Sequence, residues 1–289
     1  MTGAIDRNLV PWRPDLAAES LRGIHPAERY VAGTLHQAIR GIVPMRSTPD
    51  ASRGQATEML HGETITVYET RDGWAWGQLT ADGYVGYVQA AALTDRIVAP
   101  THRVRAFRAF LYPAPDMKLP PIRALSLRSP VEVVEAAKGY ARIREAGEPG
   151  GWLAEVALGP LDAVEPDVVA TAQRFLGIPY LWGGRSSLGI DCSGLAQLAH
   201  AAAGLAIERD TYRQVQTAGT LVGTDAAVGL RRGDLVYFPG HVGLMVDGET
   251  LLHANSRAMC VSLDPLAEVA ARSAAAEGKG IIAVRRFGQ

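Results

Sequence analysis

Residues 189–204 read GIDCSGLAQLAHAAAG, and this stretch decides the fold of the C-terminal part of the chain. Residues 192–203 form a helical pattern that Gly204 closes, and Asp191 stands where an N-cap is expected. Cys192 therefore falls in the first turn, where unpaired N–H groups and the helix dipole favour a thiolate. We interpret Cys192 as a candidate nucleophile. A buried structural cysteine is the alternative, but its polar and minimal neighbours are unusual for a core position.

The residues on either side of this helix predict helices followed by an antiparallel sheet. Residues 167–176 show a helical pattern with Gly177 after its end. Downstream, an alanine-rich helix is predicted to open at Asp264-Pro265, with Asp264 as its N-cap. Strand-like runs are predicted at 235–238, 241–246, 250–254 and 280–287. This order of elements predicts an α+β domain.

A cysteine nucleophile needs a base, and two of the seven histidines stand on consecutive predicted strands. His241 and His253 are separated by an even number of residues, so they share a sheet face only if the connecting loop has an odd number of residues. A three-residue loop through Asp247-Gly248, with Gly248 at positive φ, meets this condition, whereas a two-residue Asp-Gly turn does not. We predict the three-residue loop, which would unite Cys192 and both histidines in one catalytic constellation.

The first half of the chain has a different pattern. Residues 1–34 hold three prolines around a short helical pattern at 15–21 and are predicted to be an arm that packs on a neighbour which the sequence does not identify. Short alternating runs separated by Asp-Gly, Lys-Gly and Gly-Gly pairs follow, which is typical of small all-β barrels. Several of them recur at a shift of 66, and GYVQAAAL at 86–93 recurs as GWLAEVAL at a shift of 65. The predicted domains are the arm, two barrels at 35–98 and 99–162, and the α+β domain at 163–289.

Composition limits what the chain can bind. With 29 basic and 30 acidic side chains, the net charge of -1 provides no global field for nucleic acid or an anionic bilayer. No apolar run is long enough to span a membrane and the start shows no leader pattern, so we expect no membrane partner and a cytoplasmic location. The two cysteines lack CxxC spacing, so we expect neither a metal nor another cofactor. A zinc hydrolase with Cys192, His241 and His253 as ligands is the alternative, although a short HExxH or CxxC pair is missing.

Five motifs occur in an order known from one enzyme family. They are PYLWGG at 179–184, DCSG at 191–194, RRGDLVYF at 231–238, HVG at 241–243 and HA at 253–254. In this order they resemble the NlpC/P60 cell-wall peptidase family, and the two upstream repeats resemble bacterial SH3 (SH3b) domains. The resemblance covers residues 167–287. It implies an α+β, papain-like domain, with helices packed on an antiparallel sheet, preceded by two small SH3-like β-barrels.

The resemblance also implies catalytic roles. Cys192 is the expected nucleophile, His241 the general base and acid, and His253 the residue that orients the His241 ring; the Tyr180 hydroxyl joins the Cys192 N–H as an oxyanion donor. The domain order resembles the murein-recycling members, which cleave between γ-D-glutamate and the diamino acid of L-Ala-γ-D-Glu-diaminopimelate or lysine fragments. We therefore expect a cysteine endopeptidase acting on murein peptides with a free N-terminal L-Ala. A secreted lysin that digests intact wall and a non-catalytic wall-peptide-binding protein are the alternatives.

The resemblance to the recycling members also implies substrate contacts in both parts of the chain. The candidates are Asp191, Ser193, Arg209, Asp210 and Thr211 in the C-terminal domain, and Tyr84 and Glu63 in the first barrel. For Arg209 and Asp210 we favour binding, because the α-carboxylate and the free α-amine of the fragment each need an opposite charge. Thr211 stands where the recycling members have serine, and it fits equally well as the N-cap of a capping box with Gln214 at N3. Tyr84 and Glu63 would close the groove around the peptide's amino terminus; a core aromatic and a turn carboxylate are the alternatives.

Overall fold

The computed structural model describes residues 5–146 and 148–288, and the chain divides into two compact units at residue 163. In the N-terminal arm, strands β1 (Ala17–Ala18) and β2 (Tyr30–Val31) pair in parallel, and a single 3-10 turn follows β1. The helix predicted at 15–21 is wrong, because Leu16 is buried against Trp76 and Val85 of the first barrel instead of lining a helical face. The arm thus packs on a neighbouring domain as expected; residues 1–4 of the predicted arm lie outside the described residues.

The rest of the N-terminal unit holds two small β-barrels. The strands of the first are β3 (Thr34–Ala38), β4 (Ile42–Met45), β5 (Thr57–Leu60), β6 (Thr64–Arg71), β7 (Trp74–Leu79), β8 (Val85–Gln89) and β9 (Leu93–Thr94). Those of the second are β10 (His102–Val104), β11 (Arg108–Leu111), β12 (Arg123–Ser126), β13 (Pro130–Ala137), β14 (Tyr140–Glu145), β15 (Glu148–Ala154) and β16 (Leu158–Pro160). The sheets have equivalent strand orders, β8-β7-β6-β3-β9 and β15-β14-β13-β10-β16, each with a separate hairpin, β4-β5 or β11-β12.

The internal repeat in the sequence is therefore also a repeat of structure. Strands β7 and β14 begin at equivalent residues, Trp74 and Tyr140. Each is preceded by a turn glycine, Gly73 or Gly139, with φ values of 79° and 77°, a conformation that glycine adopts without the Cβ penalty. Each barrel has its own cluster of buried apolar residues. Both barrels thus use the same turn chemistry and enclose separate cores.

The C-terminal unit consists of helices followed by a six-stranded sheet. Its helices are α1 (Val168–Gln173), α2 (Cys192–Ala202), α3 (Thr211–Thr217) and α4 (Leu266–Glu277). Its strands are β17 (Thr220–Gly223), β18 (Leu235–Phe238), β19 (His241–Met245), β20 (Thr250–Asn255), β21 (Cys260–Pro265) and β22 (Ala283–Arg286). They pair antiparallel in the order β17-β22-β18-β19-β20-β21. The predicted α+β class with an antiparallel sheet is confirmed.

The sheet of this unit is buried by the helices that pack on it. Apolar residues of β18, β19 and β20 form one core cluster with Leu266 and Val269 of α4. The alternate residues Leu244 and Leu252, which pair with each other, are also fully buried, and α2 lies against β19 and β20. Helix α2 is therefore fixed on the strands that carry the two predicted histidines. None of the helices in the described part of the chain combines the length and apolar character needed to cross a bilayer.

Candidate active site

Cys192 is the first residue of α2, as the sequence predicts. Asp191 is the N-cap, and its Oδ1 accepts a backbone N–H of the first turn at 2.7 Å. The Cys192 sulfur lies 3.9 Å from Thr211 Oγ1, and the backbone N–H groups of Val242 and Ser193 lie near enough to lower the pKa of the thiol. The start of α2 is thus held between α3 and the first residues of β19.

The thiol is neutral in the resting protein. Burial, followed by the nearby Asp191 carboxylate, raises the pKa of Cys192 to about 11, although the hydrogen bonds to the sulfur act in the opposite direction. The first turn of the helix favours a thiolate, as the sequence predicts, but burial acts more strongly in the opposite direction. The sulfur is buried with the helix start, and loss of hydration outweighs the favourable field of the first turn.

His241 and His253 share a face of the sheet. His241 Nε2 lies 2.7 Å from His253 Nδ1. Leu244 pairs with Leu252 in the register of β19 and β20, and the pairing continues through the hydrogen bond from Val246 N–H to Thr250 O, leaving residues 247–249 as the loop. The predicted three-residue loop is confirmed, and its odd length places the two imidazoles together.

The conformation predicted for Gly248 in this loop is wrong. Gly248 is not among the residues with positive φ, and neither is any other residue of the loop. The Asp247 carboxylate instead accepts the N–H groups of Glu249 and Thr250 at 2.8 and 2.7 Å. This Asx-type turn closes the loop without a left-handed residue.

The pairing of β19 with β20 ends near the Cys192 sulfur. The paired register of these strands extends from Met245 only as far as Leu244 and stops before Val242, whose N–H lies near the Cys192 sulfur and lowers the pKa of the thiol. Among the contacts of the described residues, no hydrogen bond joins the sulfur to the His241 ring. Because His241 Nε2 is engaged by His253, Nδ1 is the ring nitrogen left to serve the thiol. Catalytic hydrogen bonds are often long without substrate and tighten when it binds.

Asp264 contacts His253, although the sequence did not identify it as a residue of the site. Its Oδ2 lies 2.8 Å from His253 Nε2 and accepts the Ser262 hydroxyl at 2.8 Å. The predicted role of Asp264 as a helix N-cap is wrong, because it lies in β21 and α4 begins at Leu266 without a side-chain cap. The β20–β21 register places Ser262 opposite His253, and Asp264 two residues further along lies on the same face. The alternation of Ser262 and Asp264 was the sequence signal for this placement.

Burial also keeps both imidazoles neutral. It lowers the pKa of His241 to about 3, and a charge on His253 would lower it further. Burial likewise lowers the pKa of His253, with Asp264 acting in the opposite direction. The resting site therefore holds a neutral thiol and two neutral imidazoles, with the carboxyl group of Asp264 at the far end.

Comparison with known families agrees with this geometry. Residues 177–275 match the model of the NlpC/P60 family, and residues 45–93 match that of the bacterial dipeptidyl-peptidase SH3 domain. The C-terminal unit carries an NlpC/P60 domain. The NlpC/P60 family is a family of cysteine peptidases, and the match to it includes Cys192, His241 and His253. The SH3 match lies within the first barrel, and the second barrel has the same strand order.

Three similar proteins are dipeptidyl-peptidases. Dipeptidyl-peptidase 6 of Lysinibacillus sphaericus is 39% identical over 106 residues, which are 37% of this chain and 38% of that protein. Gamma-D-glutamyl-L-lysine dipeptidyl-peptidase of Bacillus subtilis is 37% identical over 110 residues, 35% of this chain and 36% of that protein. The protein of the same name in Bacillus cereus is 26% identical over 242 residues, 73% and 70% of the two chains. The matched region thus spans well under half the length of the first two relatives.

The fold is also shared with solved structures. The crystal structure of an NlpC/P60 family protein from Bacillus cereus has a TM-score of 0.74 at 20% identity and covers 88% of this chain and 99% of that one. An NlpC/P60 endopeptidase from Photobacterium damselae has a TM-score of 0.59 at 14% identity, covering 87% and 70%. At these identities the likeness establishes the fold alone.

A buried ion pair supports the start of α2 in the NlpC/P60 domain. The Arg209 guanidinium donates to both oxygens of Asp191 at 2.7 and 3.0 Å, and to Ser193 Oγ at 2.9 Å. Arg209 is only 2% exposed. The buried Arg209 and Asp191 side chains thus bind each other and position the start of the helix, and contact of either residue with substrate stays a prediction. The Ser193 hydroxyl belongs to the same network, and its contact with substrate stays a prediction.

Helix α3 begins one residue earlier than the predicted capping box requires. Asp210 is its N-cap residue, without a side-chain cap, and Thr211 is its first residue, so the box of Thr211 with Gln214 is wrong. Gln214 is fully buried, and its amide donates to the carbonyls of Ser193 and Glu208 at 3.0 and 2.8 Å. The Gln214 amide thus provides hydrogen bonds to backbone carbonyls in the core of the NlpC/P60 domain. The Thr211 hydroxyl instead faces the Cys192 sulfur. Substrate contacts of Asp210 and Thr211 stay predictions.

Tyr180 lies beside the nucleophile in the NlpC/P60 domain. Its N–H donates to the Met259 carbonyl at 2.9 Å, and its backbone bridges to Ile190 next to the DCSG motif. Burial, followed by the charge that Cys192 would carry as a thiolate, raises the pKa of the half-buried Tyr180 hydroxyl. The hydroxyl therefore keeps its proton at neutral pH, as an oxyanion donor must. That role stays a prediction.

The two candidates in the N-terminal unit occupy the positions that the alternatives describe. Tyr84 is 3% exposed and belongs to the core cluster of the first barrel. Glu63 accepts the Leu60 N–H at 2.8 Å within a turn. Contact of either residue with substrate stays a prediction. Across the described residues, no group of three or more His, Cys, Asp or Glu side chains is arranged to hold a metal ion.

Proposed function

We propose that this chain is a cysteine endopeptidase that hydrolyses the bond between γ-D-glutamate and the diamino acid, diaminopimelate or lysine, in murein peptides with a free N-terminal L-Ala. The observation that carries the proposal is the placement of Cys192 at the first turn of α2, with its sulfur near the backbone N–H of Val242, the residue that follows His241 in β19. The names of the gamma-D-glutamyl-L-lysine dipeptidyl-peptidases support this choice of bond. We further propose that the reaction serves cell-wall recycling in the cytoplasm, without a nucleic-acid or membrane partner.

The neutral resting site indicates how the first step proceeds. As the Cys192 sulfur attacks the γ-carbonyl carbon of D-glutamate, its proton passes to His241 Nδ1. The carbonyl oxygen becomes an oxyanion, stabilised by the Cys192 N–H and the Tyr180 hydroxyl. Protonated His241 then gives its proton to the departing amine of the diamino acid. This leaves a thioester between Cys192 and the γ-carboxyl group.

Hydrolysis of the thioester completes the cycle. His241 Nδ1 accepts a proton from water, whose oxygen attacks the thioester carbon, and the same proton then returns to the Cys192 sulfur. His253 holds the His241 ring through the 2.7 Å contact during both steps. For the substrate's free α-amine we propose Asp210, and for its polar groups the hydroxyls of Ser193 and Thr211. Thr211 supports this because its Oγ1 lies 3.9 Å from the sulfur.

The direct test compares the two cysteines of the full-length chain. L-Ala-γ-D-Glu-diaminopimelate and the corresponding lysine peptide are incubated with wild type, Cys192→Ala and Cys260→Ala, and the released diamino acid is measured by mass spectrometry. Cys260 is partly buried and unpaired, so its variant is the matched control for loss of a thiol. We expect Cys192→Ala to abolish release while Cys260→Ala retains it. Turnover by Cys192→Ala would refute the mechanism.

The same assay separates the alternatives. N-acetylation of the L-Ala residue should block cleavage; equal rates on blocked and unblocked peptides would contradict the need for a free amine. Release of fragments from intact sacculi at a comparable rate would favour the lysin. Inactivation by chelators, with resistance to iodoacetamide, would favour the zinc hydrolase. Binding of peptide without release of product by wild type would favour a non-catalytic role.

A further inference from the structure

We propose that Asp264 is a positioning residue that sets the tautomers of both histidines and thereby leaves His241 Nδ1 without a proton, ready to accept that of Cys192. The kinetic consequence of this inference rests on the proposed peptidase function. The tautomers themselves do not, because they can be measured without substrate.

The inference starts from three groups joined by two short contacts. Asp264 Oδ2 lies 2.8 Å from His253 Nε2, and His253 Nδ1 lies 2.7 Å from His241 Nε2. An ionised carboxylate can only accept, so His253 Nε2 must carry the hydrogen of the first contact. A neutral imidazole has one N–H, so His253 Nδ1 is the acceptor of the second contact and His241 Nε2 its donor. The single hydrogen of neutral His241 is then on Nε2, and Nδ1 carries a lone pair.

The surroundings of Asp264 support an ionised acceptor. Burial raises the pKa of this carboxyl group, but the hydrogen bonds from His253 and Ser262 outweigh burial and lower it overall. Burial keeps His253 itself neutral. At neutral pH the three groups are therefore an ionised Asp264 carboxylate and two neutral imidazoles.

A second hydrogen-bonded path converges on the same oxygen. The Asn255 amide donates to Ser262 Oγ at 2.8 Å, and the Ser262 hydroxyl donates to Asp264 Oδ2 at 2.8 Å. Asp264 is thus the common acceptor at the end of two chains of donors. Arg272 on α4 also favours its charge, although this arginine pairs with Glu268 at 3.3 Å. Because Ser262 and Asp264 are fixed by the β21 register, rotation of the carboxylate away from His253 would break both chains.

The substitution that tests this is Asp264→Asn. An asparagine amide can donate to His253 Nε2, which reverses both contacts and places the proton of His241 on Nδ1, where it blocks transfer from the thiol. We expect the ¹⁵N shifts of the His241 ring to change from an Nε2–H to an Nδ1–H pattern in at least part of the population. We expect kcat to fall by about 100-fold or more while KM changes little, because the wrong tautomer affects the proton transfer and not peptide binding.

Asp247→Asn is the matched control. Asp247 is also an acidic residue whose carboxylate accepts hydrogen bonds, but it lies in the loop between β19 and β20, and its donors are the backbone N–H groups of Glu249 and Thr250. Its variant should leave both the His241 tautomer and kcat unchanged. Assignment of the ring signals uses His241→Gln and His253→Gln. The acid limb of the pH–kcat/KM profile should also move to lower pH in Asp264→Asn, because protonated His241 loses the stabilising charge; a purely structural role would not move it.

The outcomes separate this inference from the proposed function. If wild type does not cleave murein peptides, the proposed function fails, and the ¹⁵N shifts of wild type and Asp264→Asn still decide the tautomers. If wild type cleaves them and Asp264→Asn keeps both the wild-type shifts and the wild-type kcat, the role of Asp264 is refuted and the peptidase stands. Wild-type shifts that show Nδ1–H on His241 would overturn the inference at once.

Discussion

Replacing Arg209 with methionine should destabilise the NlpC/P60 domain by about 3–5 kcal/mol, whereas the same replacement of Arg232 should cost less than about 1 kcal/mol. The two sites are closely matched. Arg209 donates to both oxygens of Asp191, the N-cap of α2, and Arg232 donates to both oxygens of Asp167, the N-cap of α1, at 3.1 and 2.9 Å. Methionine keeps a long unbranched side chain and removes the charge in both cases.

The difference in magnitude comes from burial. The Arg209–Asp191 pair has side chains that are 2% and 10% exposed, against 44% and 52% for Arg232–Asp167. Loss of Arg209 leaves the Asp191 carboxylate in the interior with only its hydrogen bonds, whereas water solvates Asp167 when Arg232 is removed. Because the Asp191 charge already raises the pKa of Cys192, the unpaired carboxylate should also slow alkylation of that thiol by iodoacetamide.

Urea unfolding of wild type and both variants is followed by circular dichroism, at low salt and at about 1 M salt. It measures how much unfolding free energy each substitution removes. The effect of Arg232→Met should vanish at high salt, and that of Arg209→Met should persist. The double variant Asp191→Asn with Arg209→Met should recover part of the loss, because the charge is gone and the cap is kept. Equal losses at the two sites, or removal of the Arg209 effect by salt, would refute the argument from burial.

Four further substitutions test other parts of the NlpC/P60 domain. Burial lowers the pKa of His200 to about 4. As the pH falls below about 6.5, the unfolded chain therefore gains a proton before the folded one does, and the free energy of unfolding declines from there towards pH 4. His200→Leu should remove about 2 kcal/mol of this decline at pH 5 in urea titrations, and an unchanged pH dependence would contradict this. Tyr180→Phe should lower kcat about 100-fold in initial-rate assays with KM nearly constant, and a change in KM alone would argue against an oxyanion donor. Gly243→Ala should cost about 1–3 kcal/mol in thermal unfolding, because its Cβ would lie 2.7 to 2.9 Å from three carbons of Leu251. Gly248→Ala should be nearly neutral, since its φ is not left-handed, and a large loss there would contradict the loop geometry.

Sequence periodicity predicted those parts of the site that depend on local geometry. Cys192 follows an N-cap aspartate and opens a helix because Asp191 can bind the first-turn N–H groups wherever that helix lies. The shared face of His241 and His253 follows from strand parity and an odd loop. The same local reasoning failed at Gly248, because an Asp247 side chain can close a turn that otherwise requires positive φ.

Residues with two local interpretations were not resolved by pattern. Asp264 before Pro265 fits a helix cap as well as the end of a strand, and only pairing of β21 with β20 turns it to His253. Arg209 fits a substrate-binding guanidinium as well as a buried one, and only the packing of α2 brings Asp191 to it. In both cases the choice between the two interpretations depends on a partner residue that lies elsewhere in the chain, and no local pattern reveals that partner.

The amino-acid sequence alone determined the α+β class, the duplicated barrels and the identity of the cysteine and its two histidines, because these depend on short-range periodicity, capping and turn length. Tertiary structure decided the protonation state of the thiol, the internal pairing of Asp191 with Arg209 and the recruitment of Asp264. Each of these depends on how much water is removed around a charged group and on which distant group replaces it, and both are set only when the helices close over the sheet.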